Sequence, residues 1–320
     1  MALRIALSGF VVLVVAMGIG RFAFTPQVPL MIADGQLTLT SAGLVAAMNY
    51  LGYLAGAWDA MRAHRYVEAR LWAGITGAVA LTLLSAVADN AIVHGVLRFA
   101  IGCMSGWSMV LIAAWTNERL GYLGKPGLSA AVFAGPGAGI ALSGLLAVYI
   151  QSRAIPAGAA WQIYGVLALI LVTLVARYLP RGGQLHRPET APEPLVLTTN
   201  LRRLVWSYSL AGFGYILPAT FLSQMAVARF PGSLFAQFVW PLFGAASVVG
   251  IGLSIMLRHF SSSNRRLAVV LWLQGVGVLA AWLVPGIAGL LLGGLLVGGG
   301  FLCAVQLSLL YGRELAPQHT

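Results

Sequence analysis

Acidic residues are nearly missing: Asp and Glu number 8 in 320 residues, and charge of both signs makes up only 8% of the chain. An ordinary soluble domain carries about a quarter charged residues, so the soluble globular class is excluded. Asp34 and Asp89 stand near one set of ends of the apolar runs, Asp59 and Glu118 near the other, and none lies deep inside. An intramembrane enzyme would need paired acids, a His-rich cluster or a motif such as His-Glu-x-x-His, and none occurs. The loop Gly-x-x-x-x-Gly-Lys-Ser/Thr is also missing, which excludes ATP-driven transport by this chain. The two cysteines, Cys103 and Cys303, both fall in apolar segments, so neither a secreted disulfide framework nor a cysteine zinc site is expected. No cofactor is expected.

What is present is apolar length. Hydrophobic residues make up 59% of the chain, and the mean hydropathy is +0.88. Apolar runs cover residues 5–31, 39–60, 71–88, 92–116, 128–150, 160–179, 204–225, 235–257, 267–284 and 286–311. A bilayer-crossing helix needs about 20 residues, and helices are favoured because unpaired backbone groups cannot face lipid. The reading is an all-α membrane protein with ten transmembrane helices, the first of them retained and not a cleaved signal.

The net charge of +11 does not describe a nucleic-acid surface, because the basic residues are scattered between apolar runs. It describes a topology. Lys and Arg near helix ends stay on the cytoplasmic side. With the N-terminus inside, that side holds Arg4, then Arg62, Arg65 and Arg70, then Arg119 and Lys125. It also holds Arg177, Arg181, Arg187, Arg202 and Arg203, then Arg258, Arg265 and Arg266, and finally Arg313. The opposite face holds only Arg153 and Arg229. Both termini are therefore expected to be cytoplasmic, in an inner membrane.

Residues 181–203, rich in proline and mixed charge, read as a cytoplasmic linker. They divide a six-helix bundle, 1–180, from a four-helix bundle, 204–320. The halves share a pattern: Gly18-Ile19-Gly20-Arg21-Phe22 recurs as Gly212-Phe213-Gly214-Tyr215-Ile216, 194 residues later. Gly56 matches Gly250 at the same offset, and Arg62 matches Arg258 at 196. Secondary transporters are built from such repeats, with the substrate site near the midplane between them.

The stretches GIGRFAFTPQVPLM (18–31), NYLGYLAGA (49–57), RFAIGCMSGWSMVLIAAW (98–115) and GFGYILPATFLSQMA (212–226) resemble the YbfB/YjiJ-like branch of the major facilitator superfamily. The resemblance runs along the whole chain. It implies a bundle on a six-plus-six plan and a secondary transporter working by alternating access. The superfamily's loop signature after the second helix is only partly matched, by Gly56, Asp59, Arg62 and Arg65. Six helices plus four fit the plan without its last two. That arrangement is expected to expose helices eight and ten to lipid or to a second copy, with a tendency to self-associate. A non-functional or regulatory remnant of a twelve-helix transporter is the competing reading.

Arg21 lies mid-helix in the first span and Arg98 roughly 9 Å inside the outer end of the fourth. An arginine at a helix centre costs about 2.5–3.5 kcal/mol to insert, so such residues face an interior and find partners. One reading is that they attract an anionic substrate, since a guanidinium binds carboxylate through two parallel bonds. The other is that backbone carbonyls and water satisfy them. For Arg98 the resemblance implies function, through the superfamily's Arg-x-x-x-Gly signature (Arg98, Gly102). Asn49 and Tyr215 are added to the substrate-binding set, because they fall at cavity depth in helices that line the superfamily's pathway. Gly18, Gly20 and Pro26 are expected to interrupt the first helix. Gly135, Pro136 and Gly139 resemble the superfamily's antiporter signature in the fifth, as a hinge or as close packing alone. His94, at an outer helix end, reads as a solvated interfacial histidine.

The orientation is checked by labelling. Arg153→Cys and Arg229→Cys are expected to react with an impermeant thiol reagent in intact cells, and Arg187→Cys only after lysis.

Overall fold

A computed structural model of the chain describes residues 1–185 and 196–317. Among them all regular structure is helical. The helices in chain order are α1 (Ala2–Ala33), α2 (Leu39–Arg62), α3 (Val67–Val87), α4 (Ala91–Tyr122), α5 (Pro126–Ser152), α6 (Ala157–Tyr178), α7 (Thr199–Arg229), α8 (Leu234–His259), α9 (Ser263–Leu283) and α10 (Gly286–Leu315). Nine of these are long and apolar enough to cross a bilayer, which makes this a multi-pass membrane protein. The exception is α2. Its 24 residues have the length, but Asn49, Tyr50, Tyr53 and Asp59 dilute its apolar character. Residues 186–195 of the expected linker, including Arg187, lie outside the described residues, and α7 begins at Thr199, not at 204.

The ends follow local rules. Thr38 and Ser41 close a reciprocal capping box ahead of α2, the Asn90 side chain accepts from the backbone of Ile92 and Val93 to start α4, and Thr198 accepts from Leu201 to start α7. Each supplies an acceptor for amides that no preceding turn can satisfy. The residues assigned to the inner face meet at one end of the bundle. Arg4 lies over the Tyr178 ring at 5.5 Å, Trp72 donates to Pro180 O at 3.0 Å, and Arg70 pairs with Asp59 at 2.7 Å. At the other end Asp34 accepts from Ala157 N at 2.7 Å, tying α1 to the start of α6.

Inside lipid, packing replaces the hydrophobic effect as the force between helices, and small residues let backbones approach. Helices α2 and α4 meet through Gly56 and Gly102: a Cβ on the first would overlap Cys103 O, and on the second Asn49 O. The same contacts recur between α8 and α10, where Gly250 faces Gly299 O and Gly298 faces Phe243 O. Each α8 partner lies 194 residues after its α2 counterpart, and each α10 partner 196 after its α4 counterpart. The buried share is 44% for α8 and 61% for α10, against 22% for α9 and 28% for α7; α8 still presents Val249, Leu253 and Met256 to the surroundings, while α10 is the more enclosed of the two helices expected to be exposed. Gly293 and Gly300 of α10 turn inward to meet α9, and Gly298 to meet α8.

Gly56→Ala and Gly250→Ala, which drive a methyl into a carbonyl, should each destabilise by about 1–3 kcal/mol. Gly252→Ala, with open space around it, should be neutral or gain up to about 1 kcal/mol of helix propensity. Thermal unfolding in one detergent checks all three.

Candidate functional site

The site is built on a break in α1. Residues Val14–Arg21 form a π-helical segment, two turn residues follow, and the helix resumes at Phe24. Pro26 has no N–H for the carbonyl of Phe22, four residues back, which suits a break at that point. Gly18 presses on Gly139 of α5 so closely that a Cβ on either would overlap the other's backbone. A π segment of this kind is uncommon and concentrates at functional sites. Helix α5 is interrupted as well, by a turn at 133–134 just before Gly135 and Pro136. The α5 break packs against α1 just ahead of its π segment, because a Cβ on Gly135 would overlap Phe10 O and Leu13 Cβ.

Helix α4 supplies donors to the carbonyls of this interrupted segment of α1. Arg98 Nη1 donates to Gly20 O at 2.9 Å, and Ser105 Oγ donates to Ala16 O at 2.7 Å. Seven residues is close to two helical turns, so both donors leave the same face of α4. Arg98 is 0% exposed. Its Nη2 donates to Ser85 Oγ at 3.1 Å, and its guanidinium lies 4.4 Å from the Trp161 ring centre. None of these partners is a carboxylate. Asn49 Nδ2 donates to the Arg98 carbonyl at 2.9 Å, locking α2 to the same turn; Gly102, one turn on, lets α2 come that close.

Arg21 points elsewhere. With Phe22, Phe24 and Thr25 it lines a cavity completed by Ala46, Asn49 and Tyr50 of α2 and by Ala219 and Thr220 of α7. It is the one charged residue in that lining. The cavity measures about 20 Å³, room for about one water, so the site is closed in this conformation. The guanidinium sits 4.0 Å from the Tyr53 ring centre and 4.9 Å from that of Tyr50, and its charge reaches Tyr208 and Tyr215 of α7. Tyr215 packs at a tilt against Phe301, ring centres 4.8 Å apart, and Phe22 meets the same ring edge-on at 5.7 Å. Two direct bonds cross from the first half to α7: Thr25 Oγ1 donates to Ala219 O, and the Tyr50 and Thr220 hydroxyls lie 3.2 Å apart. Thr25 and Ala219 are 194 residues apart, the repeat offset itself.

Residues 13–320 match a family described as "Uncharacterised MFS-type transporter YbfB". The chain belongs to this family of major-facilitator-type transporters. No curated protein matches it. The family match agrees with a membrane-embedded helical bundle organised for transport.

Of the expected site residues in this family member, Arg21 and Asn49 share the central cavity, while Tyr215 stands just behind it on the aromatic cluster. Arg98 lies outside the cavity and touches the same strip of backbone from the other side. The glycine repeat is uneven: Gly18 is wedged against α5, whereas Gly212 and Gly214 have nothing near them and α7 runs unbroken through them. His94 is corrected: it is 0% exposed. The Asn90 cap starts α4 one turn earlier, which puts His94 on the buried face of Arg98. Phe301, Tyr53, Thr25 and Thr220 were not singled out by sequence reasoning. Thr25 and Thr220 lie within the resemblance stretches, but hydroxyls and rings are common in apolar helices and nothing marks these.

Arg98→Gln should lower thermal stability by about 1–3 kcal/mol, because it strands a buried carbonyl, and Ser105→Ala by about 0.5–1.5 kcal/mol, because Ala16 O keeps its place in the π ladder and loses only a second donor. Ser108→Ala removes a hydroxyl on the same helix that has no partner and should leave stability unchanged within about 0.5 kcal/mol.

Proposed function

We propose that the protein is a secondary transporter that moves a small anionic organic solute across the inner membrane by alternating access, with Arg21 as the recognition cation. One observation carries the proposal: the single charged side chain lining the cavity between the first half and α7 is a guanidinium. No carboxylate lines that cavity to neutralise it. Low dielectric strengthens the attraction of such a charge for an anion. The hydroxyls of Tyr50 and Thr220 and the amide of Asn49 supply further polar groups around it.

In this reading residues 1–180 and 204–320 are two bundles that rock about the site, joined by the linker 181–203, with both termini cytoplasmic. Contacts within each half are backbone-tight at Gly56, Gly102, Gly250 and Gly298, which favours rigid-body motion. Contacts between the halves include the crossing of α5 and α8, where a Cβ on Gly244 would overlap Ala141 N, and the hydroxyl bonds to α7. The interrupted segments of α1 and α5 sit where such motion would bend the chain. Arg98 is a positioning residue: it holds Gly20 and so aims Arg21. The cation comes from the first half alone, since Tyr215 stands 194 residues after Arg21.

Purified wild type and variants, screened by thermal shift against carboxylates, phosphates, amines and sugars, test this. An anion should stabilise wild type, because a ligand bound only to the folded state raises its apparent stability. Arg21→Gln should lose that shift while still folding, and Arg21→Lys should recover part of it, lacking the planar fork. Stabilisation by cations only, or an Arg21→Gln variant that binds as wild type does, would overturn the assignment.

A further inference from the structure

The repeat makes one missing partner visible. Arg70 stands near the start of α3, and 196 residues later Arg266 stands at the same place in α9, each followed by a buried leucine, Leu71 or Leu267. Arg70 Nε donates to Asp59 Oδ2 at 2.7 Å and its Nη1 to Arg65 O at 2.5 Å. Arg266 also donates to a backbone carbonyl, but a different one: its Nη1 bonds Ser254 O of α8 at 2.7 Å. Its Nε is buried and has no partner. The reason is in the sequence: at the offset relating α2 to α8, the counterpart of Asp59 is Leu253. The same guanidinium is present in both halves, and the anion in only one.

What lies beside Arg266 is a groove of about 660 Å³ between α8, α9 and α10. Leu253, Leu257, Val269 and Leu273 wall it, Gly299 contributes to its floor, and Arg265 and Arg266 are its charged lining. Its walls are open to the surroundings, with Leu253 52% and Val269 58% exposed. Burying an arginine nitrogen without an acceptor is unfavourable, and Arg265 and Arg266 are the groove's charged lining, so it suits an occupant with an oxyanion at one end and hydrocarbon along the rest. A phospholipid has that shape. Basic pockets between membrane helices recruit anionic headgroups, and Arg265 and Arg266 belong to the basic face of the chain. We infer that this groove binds an anionic phospholipid, its phosphodiester taking the place that Asp59 fills in the first half and one acyl chain lying along the apolar floor. The site is separate from the Arg21 cavity and independent of what that cavity transports.

The test uses the full-length protein, stripped of lipid in a neutral detergent. Dioleoyl phosphatidylglycerol and dioleoyl phosphatidylcholine are titrated separately, with native mass spectrometry counting retained lipid and thermal shift reading affinity. Inorganic phosphate serves as the headgroup without the chain. Phosphatidylglycerol should bind about tenfold more tightly than phosphatidylcholine, and phosphate at the same concentration should give no shift. Arg266→Gln should erase the preference. Leu253→Asp should erase it too while keeping the fold, because it restores the internal carboxylate that Arg70 already has. That second variant carries the comparison if Arg266→Gln fails to fold. Equal binding of the two lipids, an equal shift from phosphate alone, or a preference that survives in Leu253→Asp would overturn the inference. So would closure of the groove by a second copy, seen as a dimer whose formation ignores phosphatidylglycerol.

Discussion

A carbonyl freed inside a membrane protein must find a donor, because no water or lipid headgroup is there to supply one. The structure depends on how that requirement is met at the π segment of α1. Arg98 takes the Gly20 carbonyl and Ser105 takes that of Ala16, from one face of α4. A short polar side chain would not span the distance Arg98 covers, and a carboxylate would repel the carbonyl. A buried arginine without an acid partner is therefore intelligible: its charge is dispersed over a carbonyl, the Ser85 hydroxyl and the face of Trp161. The cation also stands behind the backbone that presents Arg21 to the cavity.

Glycine contacts bring backbones together within each half and again where α5 crosses α8. Where backbones touch, as at Gly56 and Cys103 or at Gly250 and Gly299, no sliding is tolerated. The two halves meet through rings and hydroxyls around Arg21, and also at the α5 and α8 crossing, where the backbones are just as close: a Cβ on Gly244 would overlap Ala141 N. Ring contacts such as those of Phe301 with Phe22, Tyr215 and Phe243 are worth about 0.5–1.5 kcal/mol each. Residues related by the repeat meet at Thr25 and Ala219, as residues beside an axis between two related bundles would.

The helices were legible from the sequence because apolar length and Lys/Arg punctuation are strong signals, and only α2, with its polar cavity-facing residues, falls short of them. Arg21 and Arg98 stood out because charge is rare in such segments. Their different surroundings did not, since the step from an i→i+4 to an i→i+5 ladder in α1 leaves no mark in composition. Gly18 and Gly212 look alike in sequence yet differ fully in packing, because α5 crosses one and nothing crosses the other. His94 was misplaced for a similar reason: its depth depends on where Asn90 starts the helix and on which face turns inward. Phe301 gathers its importance from three other helices, which no local pattern encodes.

The central claim is that Arg21 gives the junction between the halves a positive potential. Its most direct test is the reactivity of Thr220→Cys, in a background with Cys103→Ala and Cys303→Ala, towards two small methanethiosulfonate reagents of opposite charge. The purified protein in detergent exposes both faces, so orientation does not enter. The anionic reagent should react about tenfold faster than the cationic one, a difference of roughly 1.4 kcal/mol, and the bias should vanish in Arg21→Gln. Equal rates in the parent, or faster reaction with the cation, would contradict the assignment of Arg21 as the recognition charge.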